Sequence, residues 1–388
     1  MTSVMDREHR VVMQTYGRTP ITFVSGDGSW LTDESGKRYL DCLTGLAVVS
    51  VGHANPRVTA AVTEQMNRLV HVSNLYYTEP MVELAEHLTR LSGLDRVFFA
   101  NCGATANEAA IKLARRWGQT MKGAACYEIV TLDDSFHGRS LATLAATGQP
   151  KKQETFQPLP SGFSQVPAND IDALVARVND ATAAVMIETL QGEGGVVPLD
   201  VEYLAAVRQL CDDRDLALIV DDVQAGMGRT GSWFSWQQLG FEPDIATTAK
   251  ALANGLPIFN DTATSEKAKA FQPGDHATTF GGGPVVCAAA NAVIAEITER
   301  DLLANCLERS DQFRAGLETM DGVEDVSRPR STGRREIQVS LDRDRIAELG
   351  RTATDITQVL GFALGGVRLD RFNAGDREVI TWLALRME

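Results

Sequence analysis

None of the six cysteines (Cys42, Cys102, Cys126, Cys211, Cys287 and Cys306) stands at the short paired spacing of a CxxC metal site. No metal is therefore expected. No secretory leader is read ahead of them, so reduced thiols in a cytoplasmic protein are the expectation. Positive charge is scarce. Lys and Arg number 37 against 51 Asp and Glu, a net charge of −14 at pH 7. Phosphate backbones need basic faces, which argues against nucleic acid as a partner. No apolar run is long enough to span a bilayer, so no membrane association is expected. There is no internal repeat and no low-complexity tract. The Gly-rich word TLQGEGG lacks the strand-to-helix GxGxxG form, so it carries no dinucleotide signal. Asn260-Asp261-Thr262 fits a glycosylation acceptor by chance, and a cytoplasmic chain would not use it.

What remains is ordinary globular composition, 44% hydrophobic and 23% charged over 388 residues. That length suits one large domain plus a smaller one. Short apolar runs at Val97–Ala100, Glu128–Leu132, Ala183–Ile187, Leu216–Val220 and Ile245–Thr248 read as strands. Helical periods alternate with them at Met81–Leu91, after Cys102, at Tyr203–Cys211 and, following the last run, at Val285–Ile297. This alternation predicts an α/β fold, a mainly parallel sheet flanked by helices, from about residue 55 to 290. Residues 1–54 and 291–388 are expected to form the smaller domain. Near the start, Ile21–Val24 and Trp30–Thr32 flank a turn and suggest a hairpin. Residues 150–170 carry four prolines and read as surface loop. His53 reads as a loop histidine.

Two strand ends carry the chemistry. Leu216–Val220 runs into Asp221, and Ile245–Thr248 ends two residues before Lys250. Ligands of open α/β sheets sit at the carboxyl ends of strands. A lysine for a Schiff base and an acid for a pyridinium nitrogen are what pyridoxal 5'-phosphate demands. Cys102-Gly103-Ala104 sits where a strand turns into a helix, a seat for an anion or an ordinary turn. Cys102 there is a reactive thiol or simply a small turn residue. Phe136 is a stacking ring or a core aromatic, and Arg139 a carboxylate clamp or a solvated arginine. Glu188 ends the strand before TLQGEGG. Thr278 and Thr279 lie in the loop HATTFGGGP.

The words GLAVVSVGHANP, HVSNLYYTEPMVELAEHL, RVFFANCGATANEAAIKLAR, SFHGRS, ETLQGEGGVVP, LIVDDVQAGMGRTG, PDIATTAKALANGLPI and HATTFGGGP run in one order over about residues 12–290. In them the chain resembles the class III aminotransferases, pyridoxal phosphate enzymes of fold type I. The resemblance implies a seven-stranded sheet and amino-group transfer on an acetylornithine- or ornithine-like amino acid. It implies roles as well. Lys250 forms the Schiff base and shuttles the proton. Asp221 pairs with the ring nitrogen. Val223 and Phe136 cover the ring's two faces, and Gln224 bonds its phenolic oxygen. Gly103 and Ala104, with Cys102 beside them, hold the phosphate. Glu188 belongs to the same cofactor site. Tyr76 and Arg139 bind substrate, Arg139 through a carboxylate. Thr279 reaches the phosphate of a neighbouring subunit, which implies a homodimer.

The sequence also departs from the family. The DEVQ word reads Asp222 in place of Glu. SGAEANE becomes CGATANE, with Cys102 and Thr105. Phe259-Asn260-Asp261 follow GLPI where Gly-Ala is usual, and GGNP becomes Gly281-Gly282-Gly283-Pro284. The arginine that binds the α-carboxylate of glutamate or 2-oxoglutarate aligns with Thr381, and Glu193 matches its usual acidic partner. Arg368, Arg371, Arg377 and Arg386 are the nearby alternatives. The chain stops at Glu388, short of the family's last helix. Two alternatives follow. One is an elimination, replacement or carbon–carbon bond-forming enzyme, with S-adenosylmethionine a candidate donor. The other is a non-catalytic relative.

Overall fold

The computed structural model describes residues 3–320 and four short strand segments beyond them, 367–368, 372–374, 377–379 and 382–383. The chain divides into two compact units, Met1–Ser331 and Thr332–Glu388. In the second, 367–368 pairs with 382–383 and 372–374 with 377–379, both antiparallel. Thr381, Arg371 and Arg386 lie outside the described residues, as do the side chains of Arg368 and Arg377.

The first unit is built on one seven-stranded sheet. Its strands are β1 (Arg96–Ala100), β2 (Glu128–Leu132), β3 (Phe163–Val166), β4 (Thr182–Ile187), β5 (Ala217–Asp221), β6 (Ile245–Thr248) and β7 (Phe259–Ala263). Their order across the sheet is β1-β7-β6-β5-β4-β2-β3. All neighbours are parallel except β7, which runs antiparallel to both β6 and β1. β4 and β5 are buried along their whole length. Apolar runs such as AAVMI and ALIVD are what a strand covered on both faces requires. The helix Gly103–Lys122 covers one face with Ala110, Leu113, Ala114 and Trp117, the four residues that helical period put on one side. The helices Glu79–Ser92, Val201–Asp213 and Pro284–Glu299 pack into a larger cluster on the other.

Three strands near the start, Phe23–Asp27, Trp30–Asp33 and Arg38–Leu40, form a separate antiparallel sheet, so the expected hairpin gains a third member. His53 is a loop residue there, 2.7 Å from the Asp41 carboxylate. Residues 150–170 are not all loop. Pro150–Gln153 forms a helical turn, and β3 joins the sheet edge beside β2. Its four residues, FSQV, are too few and too polar for a period to show, and edge pairing decides the outcome. β7 is likewise absent from the strand pattern, because Asn260, Asp261 and Thr262 are poor strand formers. Pairing on both sides overrides that preference.

Candidate active site

β5 and β6 are adjacent and parallel, with Asp221 paired to Thr247. Their carboxyl ends therefore open at the same side of the sheet. β5 delivers Asp221 there, and the turn after β6 delivers Lys250. Lys250 takes a φ of 41°, a left-handed conformation that a non-glycine residue holds only where its surroundings enforce it. Both residues line a cavity of about 290 Å³. Cys102, Gly103, Ala104, Phe136, Arg139, Glu188, Val223 and Gln224 line it too. Ten of the residues singled out from the sequence thus converge from five separate segments.

Asp221 is buried, and its carboxylate is held from several directions. Oδ2 accepts hydrogen bonds from Asn107 Nδ2 and His137 Nδ1, each at 2.7 Å. Oδ1 accepts the Val223 N–H at 3.1 Å, and Thr247 Oγ1 lies 3.4 Å away. Asn107 is itself fixed, donating to the His137 carbonyl at 2.7 Å and accepting from Thr247 Oγ1 at 2.8 Å. Burial alone would lower the pKa of His137, but the hydrogen bond and charge of Asp221 outweigh it and the net shift is upward. The imidazole Nε2 has no partner among the described residues. Asn107 and His137 lie inside the words CGATANE and SFHGRS, and nothing in those words marks a role for them. They lie 114 and 84 residues from Asp221, and only the fold makes them neighbours.

Lys250 is half-buried, and burial pushes its pKa below the usual lysine value, with Arg229 adding to the shift. The carboxylates of Asp221, Glu193 and Glu188 oppose it. Glu188 is buried, and its pKa is raised, first by that burial. Its Oε2 accepts the Phe136 N–H at 3.0 Å, which fixes the ring-bearing segment against β4.

The opposite wall is the start of the helix Gly103–Lys122. The N–H groups of Gly103 and Ala104 have no acceptor among the described residues, so they form a seat for an anion at the positive end of the helix dipole. A Cβ on Gly103 would stand 3.0 Å from Val223 Cγ1, so glycine lets the helix start close on the Val223 wall. Thr105, where the family has Glu, caps the turn. Its Oγ1 accepts the N–H groups of Asn101 and Cys102 at 3.1 and 2.9 Å. The other departures are visible as well. Phe259 joins the cavity wall. Asp222 is buried beneath, accepts the Ser235 N–H at 3.1 Å, and has its pKa raised to about 7 chiefly by burial.

Three of the singled-out residues do not line this cavity: Tyr76, Glu193 and Thr279 are exposed. Glu193 is still close enough to act on Lys250 through its charge. All six cysteines are free, and no described helix is long and apolar enough to cross a membrane. Among the described residues no cluster of His, Cys, Asp and Glu is arranged to hold a metal.

The residues fit a flat, anionic, nitrogen-bearing cofactor. The free N–H groups suit a phosphate, the braced carboxylate suits a ring nitrogen, and the half-buried lysine suits an aldehyde carbon. A mainly parallel sheet that brings these groups together defines a lysine-dependent cofactor enzyme. The model of the family "Aminotransferase class-III" matches residues 11–345, and the chain belongs to that family. It is a pyridoxal-phosphate-dependent transferase. The acetylornithine aminotransferase of Gloeobacter violaceus is 53% identical over 306 residues, 79% of this chain and 76% of that one. The acetylornithine aminotransferase of Methanocaldococcus jannaschii is 49% identical over 316 residues, 81% and 79% of the two chains. Among solved structures, the ornithine aminotransferase from Toxoplasma gondii superposes with a TM-score of 0.78 at 30% identity, covering 81% of this chain and 75% of that one.

Proposed function

We propose that this enzyme transfers an amino group from an acetylornithine- or ornithine-like donor to a 2-oxo acid. The observation that carries the reading is the pairing of Lys250 with the braced Asp221 in one cavity, in a chain about half identical to acetylornithine aminotransferases. When bound, pyridoxal phosphate supplies an aldehyde carbon that accepts the amino group and a ring that draws electrons from the substrate. The chain's own residues do the rest. Lys250 would hold the aldehyde carbon at rest and move a proton at its Nζ, and the burial that lowers its pKa favours the neutral amine for that task. Asp221 would keep the ring nitrogen protonated, with Asn107 and His137 locking its carboxylate in place. Gly103 and Ala104 would hold the phosphate beside Cys102. Val223 and Phe136 would cover the ring, Gln224 would bond its phenolic oxygen, and Glu188 anchors the Phe136 segment. Arg139 binds a substrate carboxylate, and Tyr76 and Glu193 border the substrate's entry.

The proposal includes a homodimer in which Thr279 of one copy reaches the phosphate of the other. Asn74 donates to the carbonyls of Thr278 and Gly281 at 3.1 and 3.0 Å, tying the segment with Leu75, Tyr76 and Tyr77 to the Thr279 loop. Those side chains and Phe280 are exposed, which a partner copy would cover. The proposal also keeps residues 55–290 as the cofactor-bearing domain, with 1–54 and 291–388 as the smaller one. Nothing among the described residues favours the elimination or bond-forming alternative. The test is a product assay with the loaded enzyme, N-acetylornithine or ornithine, and 2-oxoglutarate. Formation of glutamate in equal amount to donor consumed is expected. Donor consumption without glutamate would overturn the reading.

A further inference from the structure

Two cations stand against one ring of the cavity wall, Phe136. Arg139 is exposed there, its guanidinium carbon 5.7 Å from the centroid of Phe136. Lys152 comes from a different segment, the turn Pro150–Gln153, and its Nζ lies 4.7 Å from the same centroid. Neither is in an ion pair among the described residues. Among the described residues the Arg139 side chain donates to no acceptor, and the Lys152 side chain donates only to the neutral side-chain oxygen of Gln149. Lys152 is half-buried, and its pKa is lowered first by that burial and then by Arg139, while Glu193 opposes the shift. Like charges held against one ring, Lys152 partly desolvated and neither of them ion-paired among the described residues, are unfavourable in the free protein. A ligand carrying two negative charges relieves that cost, and a ligand carrying one relieves only part.

We infer that Lys152 is a substrate-binding residue that joins Arg139 to receive a dicarboxylate, the chemical class of the amino acceptor. The inference rests on the transfer reading given above. It gives the second carboxylate a cation from within the described residues, in a chain whose family arginine position is Thr381. The geometry is a two-point one. Arg139 offers a planar fork that takes a carboxylate bidentately, and Lys152 offers a single ammonium on a short lever from the turn. Both cations stand against the same apolar ring, Phe136.

The test uses the full chain loaded with pyridoxal phosphate. Calorimetry would compare glutarate, which has neither an amino nor a carbonyl group to react, with pentanoate, its one-carboxylate counterpart. The wild type is expected to bind glutarate at least about tenfold more tightly. Lys152→Gln is expected to lose that preference while binding pentanoate as before, and Lys152→Arg to keep it. In steady state, Lys152→Gln is expected to raise KM for 2-oxoglutarate about tenfold and leave KM for pyruvate and kcat within twofold. An unchanged thermal midpoint and cofactor absorbance would show that the variant is folded and loaded. Wild-type glutarate affinity in Lys152→Gln would overturn the inference. If the enzyme aminates no 2-oxo acid yet Lys152→Gln still loses glutarate, the transfer reading falls and the dicarboxylate site stands.

Discussion

Replacing Asp261 by valine should stabilise the protein. Asp261 lies in β7, paired in register with Thr247 and Phe98, and is 4% exposed. Neither of its carboxyl oxygens has a hydrogen-bond partner among the described residues. Burial, with Asp221 adding, raises its pKa well above 3.8. A buried polar group without partners costs about 1–3 kcal/mol. A buried valine contributes about 1.5 kcal/mol and suits a strand. The expected gain is therefore on the order of 2.5–4.5 kcal/mol at neutral pH. Its pH dependence has a definite sign. The folded state holds the Asp261 proton more tightly than the unfolded chain does, so the wild type loses stability as pH rises above 3.8. Asp261→Val lacks that loss, and the difference should widen from pH 5 to pH 8. Urea midpoints of both proteins, loaded with cofactor, measure it. A variant no more stable than wild type at pH 8, or a difference that shrinks with pH, would refute the reasoning. It would mean that solvent reaches the carboxylate, through the cavity of about 380 Å³ that it borders.

The cofactor pocket carries three further expected outcomes. Asp221→Asn should still bind cofactor but lower kcat by about 10²–10³, since a charge aimed at the reacting ring is lost; single-turnover rates measure this. Gly192→Ala would place a Cβ 2.1 Å from Gln224 Oε1, so the Gln224 side chain must swing away. Cofactor affinity should fall about tenfold with little change in thermal midpoint, because the displaced atom is the end of a flexible side chain. Asp222, with its pKa raised from 3.8 to about 7, should make the cofactor-free wild type less stable as pH climbs through that window, by about 4 kcal/mol in all. Asp222→Asn, which still accepts the Ser235 N–H, should flatten that slope in a urea titration.

How far the sequence reached can be argued from particular residues. Asp221 and Lys250 were legible because one ends an apolar run and the other follows one by two residues, and strand ends of parallel sheets converge. The helix start at Gly103 was legible because helical period after it was clear. The bracing of Asp221 was not, because Asn107 and His137 belong to other segments and their polar side chains carry no period. β7 was hidden for a physical reason. The side chains of its Asn260 and Asp261 are buried without hydrogen-bond partners among the described residues, a local choice that runs against the fold. β3 was hidden by its shortness. Lys152 was hidden by lying in a stretch that composition marked as loop. The surface roles of Tyr76, Glu193 and Thr279 came only from the resemblance, since an exposed residue leaves no trace in a hydrophobic pattern.

The central claim is that Lys250 and Asp221 run amino transfer on pyridoxal phosphate. It is tested most directly by the absorbance spectrum of the loaded protein on adding N-acetylornithine and then 2-oxoglutarate, with Lys250→Ala as control. Loss of the bound-cofactor band to the spectrum of its aminated form, reversed by the oxo acid and absent in Lys250→Ala, is the predicted result. A band that stays unchanged with N-acetylornithine, ornithine and glutamate alike would contradict the account.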